Sequence, residues 1–385
     1  MIPILYRGSV KDLLGPLPAV DPKGGRTVES AIFEYSDAFS VFDWGRMPDL
    51  LSGKGQALAV LAAEWFEMIE RPETWQAFSK TAEAQRLRKS NKFGGLFNEL
   101  GERLQKEGLP THYLGLVSGD TSPVKPLRTG NVDQPLSRFA VRRVGVVKPT
   151  MTTVQGRVTP DYSPTRAAPA PKLIPLEVVF RFSCPPGSSA IERLGIPAGT
   201  RWEFPLLELF TKLEPTDRPV DSVEGLAISG LTGSQMQELL FKTAWVAGLI
   251  KTLCENAGLE LADGKLEWGL DQNGQIFLVD AIGPDELRLL KNGVQLSKEF
   301  LRGFYRQQPW YDAVVRAKKE AADRGEVEWK KRVSVPVPAL PEVYRETVSQ
   351  MYRTLANELS GRKWFPQAWS VDQVVSKLRE LGGAS

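Results

Sequence analysis

The stretch KLEWGLDQNGQIFLVDAIGPDELR (265–288) constrains the fold of this chain more than any other. Two apolar runs flank an Asn-Gly pair, which is the pattern of a β-hairpin. Three of its ionisable residues, Lys265, Glu267 and Asp280, stand in or at the end of the apolar runs. Lys265 and Glu267 are two residues apart and share a strand face. If Asn273-Gly274 is the two-residue turn, Glu267 lies directly opposite Asp280 at the end of the returning strand. A carboxylate at the edge of a core is costly unless something pairs with it. Two facing acids can share a Mg²⁺, with Lys265 reaching a nucleotide phosphate. The alternative is a set of cross-strand ion pairs in which each acid finds a base.

The surrounding pattern is mixed. ILYRGSVKDLLGP reads as two short strands around a basic, Gly-containing turn, and SRFAVRRVGVV and IPLEVVFRF read as further strands. Residues 56–71 and 234–258 have helical spacing. Ser234 and Gln237 suit a capping box for the second helix, and Gly258 suits its stop. Residues 149–175 carry repeated Pro without periodicity and read as a long loop. Residues 297–325 and EVYRETVSQMYRTLANEL read as helices joined by a Pro-punctuated link. No regular βαβ repeat occurs, so the expected class is α+β. The expected divisions are a β-rich N-terminal lobe with a helical segment (1–147), a Pro-rich insert (148–172), a central α+β lobe (173–295) and a helical C-terminal region (296–385).

Chemistry is bounded by what the chain lacks. Its 385 residues include a single histidine, His112, and two cysteines, with a net charge of +3. A His-rich metal site is excluded, a triad would depend on one loop residue, and His112 reads as structural. The weak, interleaved charge argues against nucleic acid as a partner. The distant cysteines suit a reducing compartment, and no apolar run is long enough for a signal peptide or a membrane span. A cytoplasmic protein is expected. Proton transfer and metal binding then fall to Asp, Glu and Lys, which suits Mg²⁺ and a phosphorylated substrate.

Neither a Walker loop nor a GxGxxG fingerprint is present. YRGSVKD offers instead a Gly-centred turn (Arg7, Gly8, Ser9) with Lys11 on the returning strand, which can wrap phosphates or be a plain hairpin. Asp37, Ser40 and Asp43 recur at every third residue and suit either a polar substrate or a capped turn. Arg181 lies in the middle of an apolar strand and needs an anionic partner. With Ser188 at the start of a short helix it could clamp a phosphate, or it could be half of an internal salt bridge. Lys212 sits near Glu208, Glu214 and Asp217 at one strand end, and Arg288 is a second anion binder after Asp285.

In order along the chain, these segments resemble the SAICAR synthetase (phosphoribosylaminoimidazole-succinocarboxamide synthase) family. RGSVKD resembles its GKVRD phosphate loop, and FEYSDAFSVFD its SDRxSAFD block. IPLEVVFRFSCPPGSS resembles IPxEVVVRxxxxGS, and FTKLEPTDR resembles TKxExxD. The hairpin with PDELR is similar to KxEFGxDxxGxxxLxDExxxPDxxR. LPEVYRETVSQMYRTLANELSGRKWF resembles the C-terminal segment of the family's longer members. The likeness spans residues 5–365, with the 149–172 insert outside it. It implies a kinase-like, ATP-grasp-like fold and a ligase that uses ATP and Mg²⁺ to join L-aspartate to carboxyaminoimidazole ribonucleotide (CAIR). By position, Arg7, Gly8, Ser9, Lys11, Arg143 and Lys265 would bind ATP, and Glu267 and Asp280 would hold its Mg²⁺. Lys212 would act with those two acids at the reacting centre. Arg181, Ser188 and Arg288 would take the ribonucleotide phosphate, Asp285 the imidazole, and Asp37, Ser40 and Asp43 the acceptor and aspartate region. The long C-terminal helices imply a monomer. Ala281 and Ala38 stand where the family carries Glu and Arg, which leaves open a paralogue making another amide or a non-catalytic nucleotide-binding relative.

Overall fold

A computed structural model describes residues 2–90, 94–154, 157–214, 216–324 and 328–382. Gln155 and Gly156 of the Pro-rich segment, and Gly325 at the end of the expected 297–325 helix, lie outside the described residues. The chain divides into two compact units, each drawn from more than one stretch of the sequence. One comprises Met1–Leu61, Leu114–Val141 and Lys291–Ser385, and the other Ala62–Tyr113 and Arg142–Leu290.

The first unit contains a five-stranded sheet of β1 (Ile4–Arg7), β2 (Lys11–Val20), β3 (Thr27–Tyr35), β4 (Tyr113–Leu116) and β5 (Arg138–Arg142), in the order β1-β2-β3-β5-β4. Leu14, Ala19, Ile32, Leu114, Val117, Val124 and Ala140 form its buried cluster. The N-terminal strands run to Tyr35, and the following 15 residues are mostly loop. The expected 297–325 helix is two, Glu299–Arg306 and Pro309–Asp323. Pro309 has no N–H to give the preceding turn, so it starts a new helix instead of continuing one. Helices Glu342–Ser360 and Val371–Glu380 complete this unit.

The second unit is built on a larger sheet. Its strands are β8 (Lys172–Ser183), β9 (Arg201–Thr211), β10 (Pro219–Val220), β11 (Glu260–Leu270), β12 (Ile276–Val279), β13 (Leu287–Lys291) and the two-residue β14 (Val294–Gln295). The order is β10-β9-β8-β11-β13-β14, and β12 pairs with the second half of β11. The intervening Pro-rich segment is not a plain loop. It folds into a separate hairpin of β6 (Thr150–Val154) and β7 (Arg157–Asp161), followed by a short helix, Ser163–Ala167. Its Thr and Val residues favour strand, and Thr152 Oγ1 donates to the Thr159 carbonyl across the ladder at 3.1 Å.

The 24-residue helix Gly233–Asn256 packs on β8, β9 and β11. It begins earlier than expected, with its cap two residues before Ser234. Thr232, not Ser234, is the cap: its Oγ1 accepts from Gln235 N at 3.2 Å, and Gln235 Oε1 accepts from Thr232 N at 3.0 Å. Gly258, at φ 68°, supplies the left-handed turn after the helix.

Candidate active site

The central strands of the second unit separate two kinds of side chain by strand alternation. Leu176, Val178 and Phe180 on β8, and Leu266 and Trp268 on β11, are buried hydrophobics at alternate positions. The intervening positions carry Glu177 and Arg181 on β8 and Asp263, Lys265 and Glu267 on β11. In the antiparallel ladder Glu267 faces Glu177, and Asp263 faces Arg181. Directly opposed residues lie on one face, so one side of the sheet is lined by charge.

Lys212, just past β9, bridges that face. Its Nζ donates to Glu177 Oε1 at 2.7 Å and to Glu267 Oε1 at 2.6 Å, while Lys265 Nζ donates to Glu177 Oε1 at 2.7 Å. Asp280 is close enough to act on both Lys212 and Glu267. The hairpin register differs from expectation by one residue: Glu267 pairs with Val279, not Asp280. The connection is not a two-residue turn. The Asp271 carboxylate accepts from Asn273 N at 2.9 Å and Gln275 N at 2.7 Å, building a wider loop. Asp280 returns to the acidic partner by another route. It adopts a left-handed conformation, φ 67°, which takes it out of the strand. His112 Nε2 lies 3.1 Å from the Asp280 carbonyl oxygen, and His112 N donates to Leu278 O at 3.0 Å. The single histidine therefore holds this bend, in line with the structural role expected of it.

Burial and neighbours set the protonation of the cluster. Burial raises the Glu267 pKa first and the Asp280 charge adds to it, so that despite Lys212 and Lys265 it reaches about 7. Burial acts the same way on Glu177, but its two ammonium partners outweigh it and hold the carboxyl below the usual range. Burial opposes the charge on Lys212 and Lys265, and the acids around each outweigh it, so both stay protonated. Three carboxylates thus share two ammonium groups. Glu177 escaped the sequence reading, although a lone acid four residues before Arg181 in an apolar strand was a usable signal.

A second cluster lies along the same strands. Arg181 Nε donates to Glu208 Oε2 at 2.6 Å, and its Nη1 donates to Asp263 Oδ2 at 2.9 Å. Arg193 also pairs with Glu208. The internal ion pair left open by the sequence is therefore what forms. Ser188 Oγ lies 3.4 Å from Arg181 Nη1 and caps the helix Ser189–Leu194. Arg288 Nε is 3.5 Å from Asp263 Oδ1, and its Nη1 is buried without a hydrogen-bond partner among the described residues. Arg181 and Arg288 are thus drawn together through Asp263, and Ser188 joins them through Arg181. Asp285 is buried in the turn before β13, and Arg143 is exposed just after β5.

The remaining expected residues belong to the first unit. Arg7 and Lys11 flank the turn between β1 and β2, with Gly8 and Ser9 within it. Lys11 Nζ lies over the Phe33 ring at 4.7 Å. The Asp37 carboxylate accepts from Gly53 N at 3.1 Å and Gly55 N at 3.0 Å at the start of the helix Lys54–Ile69. This is the capping alternative, but Asp37 also lines a cavity of about 620 Å³. Ser40 is half-buried in the loop after it, and the exposed Asp43 pairs with Lys318 at 2.7 Å. No three His, Cys, Asp or Glu side chains among the described residues gather into a metal cage. Glu267 with Asp280 is a two-carboxylate site, which suits Mg²⁺ that draws its other ligands from phosphate and water.

The family model for SAICAR synthetase matches residues 98–317. A relative from Archaeoglobus fulgidus, provisionally named phosphoribosylaminoimidazole-succinocarboxamide synthase, is 35% identical over 97% of this chain and 99% of its own length. The phosphoribosylaminoimidazole-succinocarboxamide synthase of Thermoplasma acidophilum is 26% identical over 94% of this chain and 99% of its own. The SAICAR synthase of Saccharomyces cerevisiae, solved in complex with SAICAR, has the same fold, with a TM-score of 0.57 over 94% of this chain and 96% of that one, at 17% identity. Matched along almost its whole length, the chain belongs to the SAICAR synthetase family.

Proposed function

We infer that this chain is an ATP-dependent ligase of purine biosynthesis that joins L-aspartate to the carboxylate of CAIR. The γ-phosphoryl group of ATP passes to that carboxylate, giving an acyl phosphate and ADP. The amine of L-aspartate attacks the acyl carbon, the C–O bond to phosphate breaks, and SAICAR and phosphate leave. Family membership carries the activity. The observation that carries the chemistry is the buried face on which Glu177, Glu267 and Asp280 meet Lys212 and Lys265. Phosphoryl transfer needs placed charge more than a proton shuttle, and this face supplies it without a histidine.

Glu267 and Asp280 would hold Mg²⁺ with ATP, where the ion would neutralise charge on the transferring phosphate. Lys212 is kept cationic by the acids around it and can stabilise the same charge. Glu177 holds both ammonium groups in place. Arg181, Ser188 and Arg288 are assigned to the ribonucleotide phosphate, with the open nitrogen of Arg288 as the group best placed to donate. Asp285 is assigned to the imidazole, and Asp37, Ser40 and Asp43 to the acceptor and aspartate region. Arg7, Gly8, Ser9, Lys11, Arg143 and Lys265 are assigned to ATP. The buried free thiols of Cys184 and Cys254 suit the cytoplasm, and the long C-terminal helices suit a monomer.

The test is direct. The protein is mixed with ATP, Mg²⁺, L-aspartate and CAIR, and ADP and SAICAR are followed. ADP release that depends on L-aspartate is expected. Asp280→Asn should abolish turnover while the circular dichroism spectrum stays that of the parent. Unchanged activity in that variant would sink the metal assignment.

A further inference from the structure

We propose that Arg46 is a positioning residue that fastens the Gly8–Lys11 turn for nucleotide binding. The proposal rests on the assignment of that turn to ATP. The turn is tight: Gly8 N donates to Lys11 O at 3.1 Å, and a Cβ on Gly8 would lie 2.3 Å from that oxygen. Yet it projects from the edge of its sheet. All four residues of β1 are exposed, and β2 is the neighbour of β1 in the sheet order. An edge hairpin with so little buried surface is marginal by itself.

Two groups fasten it. Ser36 donates its N–H and its hydroxyl to Val10 O, each at 2.9 Å. Arg46 donates Nε to Gly8 O at 3.2 Å and Nη2 to Asp12 Oδ1 at 2.7 Å. One planar guanidinium thus spans both sides of the turn, a carbonyl on one and a carboxylate on the other. A lysine, with a single nitrogen, cannot reproduce that fork.

The segment leading to Arg46 is itself held under strain. Phe42 and Asp43 are successive non-glycine residues with positive φ, 54° and 61°, and Gly45 follows at 100°. Such residues persist only where the surroundings over-determine them. Here the far side of the loop is gripped. Phe42 packs on Tyr311 with centroids 4.6 Å apart, Trp44 packs edge-on against Trp310 at 5.3 Å, and Asp43 pairs with Lys318 at 2.7 Å. The loop is therefore anchored on the helix Pro309–Asp323 and presents Arg46 to the turn. Arg46 also lines the cavity of about 620 Å³ with Ser36, Asp37, Gln56 and Ser137, and is the cationic member of that lining among the described residues.

An ordinary half-exposed ion pair would contribute little to stability and nothing to nucleotide affinity. Arg46→Ala and Arg46→Lys separate the two cases in the full-length protein. The readouts are the KM for ATP, kcat, ATP affinity by calorimetry and the melting temperature. Arg46→Ala is expected to raise the KM and Kd for ATP about tenfold, the factor that ~1.4 kcal/mol represents. Both kcat and the KM for L-aspartate should change less than about twofold, at an unchanged melting temperature. Arg46→Lys should recover part of the affinity. Wild-type ATP affinity in Arg46→Ala overturns the proposal. So does a loss matched by a lower melting temperature, or one that lysine restores in full. A parent protein that binds ATP but makes no SAICAR would defeat the ligase assignment, and the calorimetry would still decide the role of Arg46.

Discussion

Glu267 is pulled two ways, and the balance makes a pH-dependent prediction. Its pKa of about 7 arises from burial and from Asp280, against the ammonium of Lys212. An acid raised in the folded state stabilises the fold below its unfolded pKa. That stabilisation is lost as pH rises through the folded value, so ionising Glu267 costs stability between about pH 4.5 and 7. On the proposed assignment of Glu267 to Mg²⁺, a bound cation would reverse the preference, because a metal ligand must be deprotonated. Mg²⁺–ATP binding should therefore release close to one proton at pH 6 and almost none at pH 8. Calorimetry in buffers of different ionisation enthalpy measures this. Equal proton release at both values would remove Glu267 from the metal. In Glu267→Gln both the proton release and the stability slope across this window should vanish. The sequence revealed these acids because three charges stood inside apolar strands. It did not reveal how they meet, since a left-handed residue at Asp280 is a backbone choice that side-chain pattern does not encode. It also hid Glu177, whose importance comes from being opposite Glu267, a register visible only once β8 and β11 are paired.

At the scale of elements, pattern identified most strands and helices and local chemistry corrected their ends. The hairpin of β11 and β12 slipped by one residue because Asp271 competes with Asn273-Gly274 for control of the turn. The break at Pro309 follows from a rule applicable in advance, whereas the β6–β7 hairpin lay behind prolines that mimic a loop. The capping box at Thr232 gives the clearest stability prediction. Its reciprocal bonds with Gln235 close the start of the helix that supports the charged sheet. Thr232→Ala should cost about 1 kcal/mol, read as a lower urea midpoint at constant m-value. Ser234→Ala should be near neutral. The opposite ranking would restore Ser234 as the cap. The substitution at Thr232 should leave kcat unchanged, since the cap touches none of the charged side chains named above.

At the scale of the molecule, the division into units predicts what can fold alone. The second unit takes residues from both sides of a segment that belongs to the first, so no continuous fragment contains all of it and nothing else. The central sheet and its long helix lie almost wholly within 142–290, which covers most of the 173–295 lobe expected from the sequence. Trp245 argues against that stretch folding alone. This residue is fully buried, stacks on Phe97 with centroids 4.9 Å apart, and meets Phe78 edge-on at 5.9 Å. Its Nε1 donates to Phe97 O at 3.1 Å, and Gly101 lies so close that a Cβ there would be 2.4 Å from the indole. Phe78, Phe97 and Gly101 all come from 62–113. Removing that segment uncovers one face of the long helix, with aromatic burial losses of about 3 kcal/mol or more per site, a large fraction of the stability of a typical domain. A 142–290 fragment should therefore keep helical far-ultraviolet circular dichroism but lose its near-ultraviolet signal and bind a hydrophobic dye. Joining 62–113 to it through a flexible linker should restore a cooperative melt. A fragment of 142–290 that melts cooperatively, without dye binding and without its helical partner, would show that the sheet and long helix suffice by themselves.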